Sequence, residues 1–172
     1  MDQVGYIQVY TGDGKGKTTA GLGLALRGTC SGLKVYIGQF LKGQDYAELK
    51  AVQYLPNLSM EQYGLPSFIK GKPSEKDLEI AAAGFDRASE ALESGYFDIV
   101  ILDEINTAVE IGIVEEEKAL KLMDSKPDHV ELVMTGRGAS EAIMARADLV
   151  TEMKALKHYY DDGVMARKGI EF

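Results

Sequence analysis

The sequence predicts one α/β domain, residues 1–172, with a mostly parallel sheet of about six strands flanked by helices. Short apolar runs alternate with longer stretches of helical periodicity along the whole chain. The run FDIVIL is almost continuously apolar, which is typical of a strand covered on both faces. A chain of 172 residues with 45% apolar content can bury one substantial core without further domains.

Strands are predicted where short apolar or β-branched runs lie between turn residues. FDIVIL, Phe97–Leu102, is expected at the centre of the sheet because it is the most continuously apolar run. The predicted strands are Val4–Tyr10, Lys34–Phe40, Leu58–Tyr63, Phe97–Leu102, Val130–Met134 and Leu149–Met153.

Helices are predicted in the longer stretches between the strands. The longest one begins at Ser74 with Asp77 three residues on, a capping arrangement, and Gly95 ends it. The predicted helices are Lys17–Cys30, Tyr46–Leu55, Ser74–Ser94, Ile105–Glu110, Val114–Ser125 and Ala139–Ala147. The last segment, DDGVMARKGIEF, is predicted to form a hairpin or an extended tail.

Charge and composition restrict the partners of the chain. The net charge of −8 disfavours general attraction to nucleic acid or to an anionic membrane. Cys30 is the single cysteine, so an internal disulfide is excluded. No basic and apolar leader is present at the N-terminus, and no run of 18 apolar residues occurs. We expect a cytoplasmic protein with no nucleic-acid and no membrane partner.

A glycine-rich turn joins the first predicted strand to a helix that starts at Lys17. Backbone N–H groups of such a turn and a lysine bind phosphate, and a threonine binds Mg²⁺, so the predicted fold is P-loop NTPase-like. The general pattern has glycine where Thr11 stands, and Gly12 follows one residue later. A turn without phosphate function is the alternative. The candidate nucleotide-binding residues are Gly12, Asp13, Gly14, Lys15, Gly16, Lys17, Thr18 and Thr19.

Two further strand ends carry charged residues. Asp103 and Glu104 follow FDIVIL, at the edge of the sheet where nucleotides bind in open α/β folds. At least one of them is predicted to bind Mg²⁺, and the alternative is a helix cap with a first-turn acid. Arg137, in TGRG after the fifth strand, can bind phosphate with its guanidinium or lie in a surface turn.

Six strings together resemble a known family: GDGKGKTT, GQFLKG, LDE, TGRG, ADLVTEM and KHYYDDGVMARKGIEF. They look like the ATP:corrinoid adenosyltransferases of the P-loop type, which act in cobalamin synthesis and salvage. The resemblance covers nearly the whole chain, and its closing string is the most specific part. It implies a RecA-like sheet and transfer of the 5′-deoxyadenosyl group of ATP to Co(I) of a corrinoid, with release of triphosphate.

The resemblance also assigns roles to residues of this chain. It implies that Lys17, Thr18, Glu104 and Arg137 are catalytic, with ATP as cosubstrate. Thr18, Glu104 and Asp103 would hold Mg²⁺ or, in its place, Mn²⁺. Phe68, in the loop GLPSFIKGKP, would contact the corrinoid, and a loop anchor is the alternative role.

The same resemblance implies a homodimer and an electron donor such as a flavodoxin-type reductase. Two other functions stay open from the residues. One is a P-loop kinase for a small metabolite. The arginines of this chain that such a kinase could use, Arg137, Arg146 and Arg167, are scattered rather than clustered. The other is a nonenzymatic sensor or carrier of ATP or a corrinoid.

Overall fold

The structure is a computed structural model that describes residues 4–67, 69 and 71–172. Its centre is a sheet in which every strand runs parallel to its neighbours, in the order β3-β2-β4-β5-β1-β6. The strands are β1 (Ile7–Thr11), β2 (Val35–Phe40), β3 (Leu58–Tyr63), β4 (Ile99–Asp103), β5 (Glu131–Thr135) and β6 (Leu149–Glu152). The predicted α/β class and the predicted strands are confirmed; β3 has the predicted bounds, and the ends of the other strands differ by at most three residues.

Helices follow the strands as parallel connections require. They are α1 (Lys17–Cys30), α2 (Glu75–Glu93), α3 (Ile105–Glu110), α4 (Glu116–Asp124) and α5 (Glu141–Arg146). The predicted helix at Tyr46–Leu55 is wrong in type, because this segment is a 3₁₀ helix, Ala47–Gln53, without a single buried residue. A short helix that buries no side chain has little packing to favour the α form.

Strand β4 lies in the interior of the sheet, and all five of its residues are buried. Its side chains alternate between two apolar cores. Val100 and Leu102 pack on the side of α2, α3, α4 and α5, whereas Ile99 and Ile101 pack on the side of α1. The predicted central position of this run is therefore confirmed, and its continuous apolar character reflects cover on both faces.

The start of α2 follows the predicted capping arrangement. The Asp77 backbone N–H donates to Ser74 Oγ at 3.2 Å, and the Ser74 N–H donates to the Asp77 carboxylate at 2.8 Å. Hydrogen bonds from the Ser74 side chain and backbone lower the pKa of Asp77. Gly95 follows the helix at φ 62°, a conformation that favours glycine.

The chain after β6 is irregular, with turns and neither helix nor strand in residues 153–172. Across the described residues, every helix is too short or too polar to cross a membrane. Because all strands are parallel, their carboxyl ends meet at one edge of the sheet. The predicted charged residues follow β4, β5 and β1, which are three consecutive strands of the sheet.

A pair of helix glycines tests the packing of α2 on the sheet. A methyl group on Gly84 would overlap the buried Tyr63 ring, whereas one on Gly23 in α1 would meet no atom within 4 Å. We expect Gly84→Ala to lower the free energy of unfolding by about 1–3 kcal/mol through overpacking. Gly23→Ala should raise it by about 0.5–1 kcal/mol through helix propensity. Urea unfolding measures both values, and stabilisation by Gly84→Ala would contradict the packing.

Candidate active site

A cleft of about 800 Å³ opens at the carboxyl edge of the sheet. The loop after β1, the residues that follow β4 and β5, and the C-terminal tail line it. This is the position at which open α/β sheets bind their ligands. The cleft therefore lies where the sequence placed its charged residues.

Close packing fixes the backbone of the loop after β1. Gly12 and Gly16 have φ values of 94° and 123°, which favour glycine. A side chain on Gly12 would also approach the carbonyl oxygen of Met153 to 2.5 Å. The Gly14 N–H donates to that same oxygen at 2.7 Å. The segment after β6 thus holds the loop in place.

Thr11 occupies the position at which the general phosphate-loop pattern has glycine. It is the last residue of β1 and is buried. Its hydroxyl oxygen accepts a hydrogen bond from the Ala139 N–H at 3.2 Å, in the loop after β5. The threonine therefore joins two of the loops that form the cleft, and the glycine-rich turn begins one residue later.

Lys17 is the buried cation of the loop, with 7% of its surface exposed. Its ammonium donates to the carbonyl oxygens of Gly12 and Gly14 at 2.6 and 2.8 Å. Burial lowers the pKa of Lys17, while the nearby Glu104 carboxylate acts to raise it. An ammonium enclosed by carbonyl oxygens at the bottom of a glycine loop can exchange these partners for phosphate oxygens.

The Asp103 carboxylate at the end of β4 is buried and joins several segments of the site. Its Oδ1 accepts hydrogen bonds from Thr18 at 2.9 Å and from Thr135 at 2.7 Å. Its Oδ2 accepts from Lys42 at 2.7 Å and from Gln39 at 3.3 Å. These donors come from α1, β5, the loop after β2, and β2 itself. A buried carboxylate is stable only with such partners.

Glu104 has the left-handed φ of 60°, which is rare for a residue with a side chain. Its backbone N–H donates to the Thr135 hydroxyl at 3.1 Å, and its carboxylate accepts from the Thr107 hydroxyl at 2.6 Å. Backbone strain of this kind persists only where its surroundings stabilise it, and it concentrates at functional sites. The turn brings the Glu104 carboxylate to the cleft.

Thr107 also positions the TGRG segment. The Arg137 N–H donates to Thr107 Oγ1 at 2.9 Å. Gly136 has φ 133°, and a side chain there would approach the Thr107 backbone nitrogen to 2.7 Å. Arg137 is exposed and lines the cleft. Its guanidinium can therefore reach an anionic ligand in the cleft.

The C-terminal tail contacts the exposed lysine of the phosphate loop. The Lys15 ammonium forms an ion pair with Glu171 at 2.6 Å and a hydrogen bond with the Tyr159 hydroxyl at 3.2 Å. Arg167 also pairs with Glu171, at 3.3 Å. Hydrogen bonds from Arg167, Lys15 and Tyr159 lower the pKa of Glu171. The specific closing string thus folds back onto the loop.

The structure brings the predicted loop residues 12–19 together with Asp103, Glu104 and Arg137 at one edge of the sheet. Asp103 is the carboxylate that contacts Thr18, whereas the Glu104 carboxylate contacts Thr107. Phe68, predicted to contact the corrinoid, lies outside the described residues. The catalytic and metal-binding roles of these residues stay predictions.

Several polar residues of the site were missed in the sequence. They are Gln39, Lys42, Thr135, Tyr159 and Glu171. Gln39 offered a signal, since it is a polar residue in the otherwise apolar strand β2, opposite Asp103 in the sheet register. Tyr159 and Glu171 lie in the closing string of the resemblance, but nothing local indicated their contacts with Lys15, which span more than 140 positions of the chain.

Comparison with known proteins decides the family. The family model described as ATP:corrinoid adenosyltransferase BtuR/CobO/CobP matches residues 3–172. The chain belongs to this family. This match confirms the resemblance found in the sequence. The members of this family are enzymes.

Three curated relatives agree with the assignment. A corrinoid adenosyltransferase of Pseudomonas aeruginosa is 32% identical over 99% of this chain and 85% of its own length. One from a Sinorhizobium species is 33% identical over 99% and 82%. Corrinoid adenosyltransferase CobA of Salmonella typhimurium is 31% identical over 100% and 88%. The similarity therefore extends over nearly the whole of this adenosyltransferase-family chain.

The donor set at Asp103 suits a hard divalent cation. Within the described parts of the chain, His, Cys, Asp and Glu side chains form no group of three or more that could hold a metal by themselves. Mg²⁺ needs fewer protein ligands, because substrate phosphates and water complete its octahedral shell. A threonine hydroxyl 2.9 Å from a carboxylate, beside a phosphate loop, provides the oxygen atoms that such an ion takes.

Glu171→Gln tests the attachment of the tail to the loop. We expect faster hydrogen exchange at the Val164 and Glu171 amides, because the neutral side chain loses its ion pairs with Lys15 and Arg167. Glu115→Gln, which removes an exposed carboxylate paired with Lys118, is the matched control. Equal protection of the tail in wild type and Glu171→Gln would contradict the attachment.

The pH dependence of the contact between the tail and the loop follows from the lowered pKa of Glu171. The pKa of Glu171 in the folded chain lies below its ordinary value of 4.5. The ion pairs are therefore fully present above pH 4.5 and are lost only as the pH falls through the lower, folded-state pKa. Protection factors of the tail amides should be the same at about pH 7 and pH 5. A loss of protection between these values would contradict this assignment.

Proposed function

We propose that this protein transfers the 5′-deoxyadenosyl group of ATP to the Co(I) centre of a corrinoid and releases triphosphate. The observation that carries the proposal is the phosphate loop with its buried Lys17, at the bottom of a cleft of about 800 Å³, in a chain of this family. The relatives are named corrinoid adenosyltransferases. A cleft of this size has room for a nucleotide.

The reaction places simple demands on the protein. The electron pair of Co(I) forms the new bond to the 5′ carbon, and the bond between that carbon and the 5′ oxygen breaks. The electrons of the broken bond remain on the triphosphate. No proton is removed from either substrate, so the protein has to position the carbon and stabilise the negative leaving group.

The cationic side chains of the cleft fit the second demand. Lys17 would exchange the Gly12 and Gly14 carbonyl oxygens for oxygens of the triphosphate. Arg137 lies at the cleft and would bind the same group through its planar donors. Charge stabilisation of this kind, in a largely water-free site, is the largest single catalytic effect in many enzymes.

A divalent cation fits the same site. Thr18, Asp103 and Glu104 would hold Mg²⁺, or Mn²⁺ in its place, together with phosphate oxygens. When bound, the ion supplies further positive charge to the leaving triphosphate. From the family resemblance we also infer a homodimer and an electron donor, such as a flavodoxin-type reductase, that delivers Co(I). A cytoplasmic location is proposed from the composition of the sequence.

The positions of the arginines count against a metabolite kinase. A kinase of this type usually needs an arginine-bearing lid over the transferred phosphoryl group and a base for the acceptor hydroxyl. Arg146 instead pairs with Asp124 at 3.0 Å, and Arg167 pairs with Glu171 in the tail. Of the three, Arg137 lines the cleft.

The direct test is an anaerobic assay. The protein is mixed with MgATP and chemically reduced cob(I)alamin, and the visible spectrum is followed. We expect the spectrum of a light-sensitive cobalt–carbon product to appear. Failure to form this product with both cobalamin and cobinamide would contradict the proposed function.

Two substitutions test the site itself. Lys17→Ala and Glu104→Ala should each lower kcat by about 10²–10³-fold, because both groups act on the charge of the leaving triphosphate or its metal. Circular dichroism should show that both variants stay folded. Lys121→Met removes an exposed lysine of α4 and should keep the wild-type rate. Near wild-type turnover of both site variants at saturating Mg²⁺ would contradict the assigned roles.

A further inference from the structure

Lys42, in the loop after β2, is a further cation of the cleft and has no role in the proposed function above. Its ammonium lies 2.7 Å from Asp103 Oδ2, 3.7 Å from Glu48 Oε1 and 3.5 Å from Thr18 Oγ1. The Tyr46 ring lies 5.3 Å away on another side. The side chain of Lys42 is 15% exposed. A positive group is thus surrounded by oxygen atoms at the carboxyl edge of β4.

These oxygen atoms are the ones that suit a divalent cation. A threonine hydroxyl at the start of α1 and a carboxylate at the end of β4 are the protein ligands of Mg²⁺ in P-loop proteins. Mg²⁺ would lie about 2.0–2.1 Å from its ligand oxygens. An ammonium 2.7 Å from Asp103 and 3.5 Å from Thr18 occupies much of that space. The two cations cannot share the position, because their charges repel and their volumes overlap.

We propose that Lys42 and the divalent cation compete for Asp103, and that binding of the metal–ATP complex transfers the Lys42 ammonium from Asp103 to the triphosphate. This inference rests on the proposed function, since it assumes that the cleft binds metal–ATP. Lys42 lines the same cleft as Lys17 and Arg137, so triphosphate oxygens are the new acceptors within reach. Asp103 keeps a cationic partner throughout, and the buried carboxylate is never left unpaired.

The surrounding backbone confines this movement to the Lys42 side chain. The Leu41 N–H donates to the Tyr63 carbonyl oxygen at 3.1 Å. A side chain on Gly43 would approach the Leu65 carbonyl carbon to 2.6 Å, so the loops after β2 and β3 are tightly packed. A lysine has four rotatable bonds, which allow its ammonium to change partners while the backbone stays in place.

Other groups around Lys42 favour its retention as a cation. Burial acts to lower the pKa of Lys42, but attraction to Asp103 and the hydrogen bond between them raise it above its ordinary value. Glu48 and Glu104 act in the same direction. The two carboxylates that face the ammonium, Asp103 at 2.7 Å and Glu48 at 3.7 Å, favour its charged form.

Binding of Mn²⁺ to the nucleotide-free protein tests the competition. Electron paramagnetic resonance of free Mn²⁺ gives the affinity for wild type, Lys42→Met and Lys42→Gln. Removal of the ammonium should raise the affinity about tenfold or more, since a charge repelling the metal at close range is lost. Lys121→Met removes the same charge far from the cleft and should bind Mn²⁺ as wild type does. Equal affinities in wild type and both Lys42 variants would overturn the competition.

Thermal unfolding tests the competition independently, including the case in which removal of Lys42 destabilises the protein. Lys42→Met leaves Asp103 without its ammonium and should lower Tm, whereas Lys42→Gln retains a hydrogen-bond donor. Mn²⁺ should restore the Tm of Lys42→Met more than it raises that of wild type, because the metal replaces the missing cation. An equal effect of Mn²⁺ on the two proteins would count against the inference.

Binding of ATP at saturating Mn²⁺ tests the transfer to the triphosphate, because the metal then occupies Asp103 in all three proteins. Calorimetry should show weaker binding of metal–ATP to Lys42→Met, and to Lys42→Gln, by about tenfold relative to wild type. Unchanged affinity in both variants would overturn the transfer, even if the competition for Asp103 holds.

The anaerobic assay separates this inference from the proposed function. If wild type forms the cobalt–carbon product while the Lys42 variants bind Mn²⁺ and ATP as wild type does, the inference fails and the function stands. If wild type binds metal–ATP but forms no product, the proposed function fails. In that case the Mn²⁺ and ATP affinities of the variants still decide the role of Lys42.

Discussion

The buried carboxylate of Asp103 is the group on which the organisation of the site depends. It accepts hydrogen bonds from α1, β2, the loop after β2 and β5, so it joins four segments that are distant in sequence. An uncompensated charge at this depth would cost several kcal/mol. The strand order β2-β4-β5 supplies the compensation, because parallel neighbours end at the same edge and bring their polar residues to β4. The fold and the chemistry of the site thus share one requirement.

Close backbone contacts determine the rest of the cleft. The glycine loop packs against the Met153 carbonyl oxygen after β6, and the tail beyond it returns to pair Glu171 with Lys15. The strained turn at Glu104 is stabilised through Thr135 and Thr107. Glycine, threonine and a few ion pairs therefore hold the cationic groups at one edge, where a leaving triphosphate would need them.

Much of this architecture follows from local patterns in the sequence. The predicted bounds of α1 and α3 match the observed ones, the capping residues Ser74 and Asp77 marked the start of α2, and the apolar run FDIVIL was placed in the interior of the sheet. The glycine-rich loop and the acidic pair could be found because the residues of each are adjacent in the sequence. Lys42 and Glu171 were not, because their roles arise from contacts over 61 and 156 positions of the chain. The helix predicted at Tyr46–Leu55 was wrong in type, since its 3₁₀ form depends on the absence of burial rather than on periodicity.

In the proposed reaction ATP is cleaved at carbon, with triphosphate as the leaving group, and no phosphoryl group is transferred. ATP labelled with oxygen-18 at the bridging 5′ position distinguishes the two reactions, in the presence of reduced corrinoid under anaerobic conditions. We expect mass spectrometry to find the label in an intact triphosphate and none in the adenosyl product, because the bond between the 5′ carbon and its oxygen breaks. Label retained on the nucleoside, together with ADP or AMP, would contradict the proposed reaction.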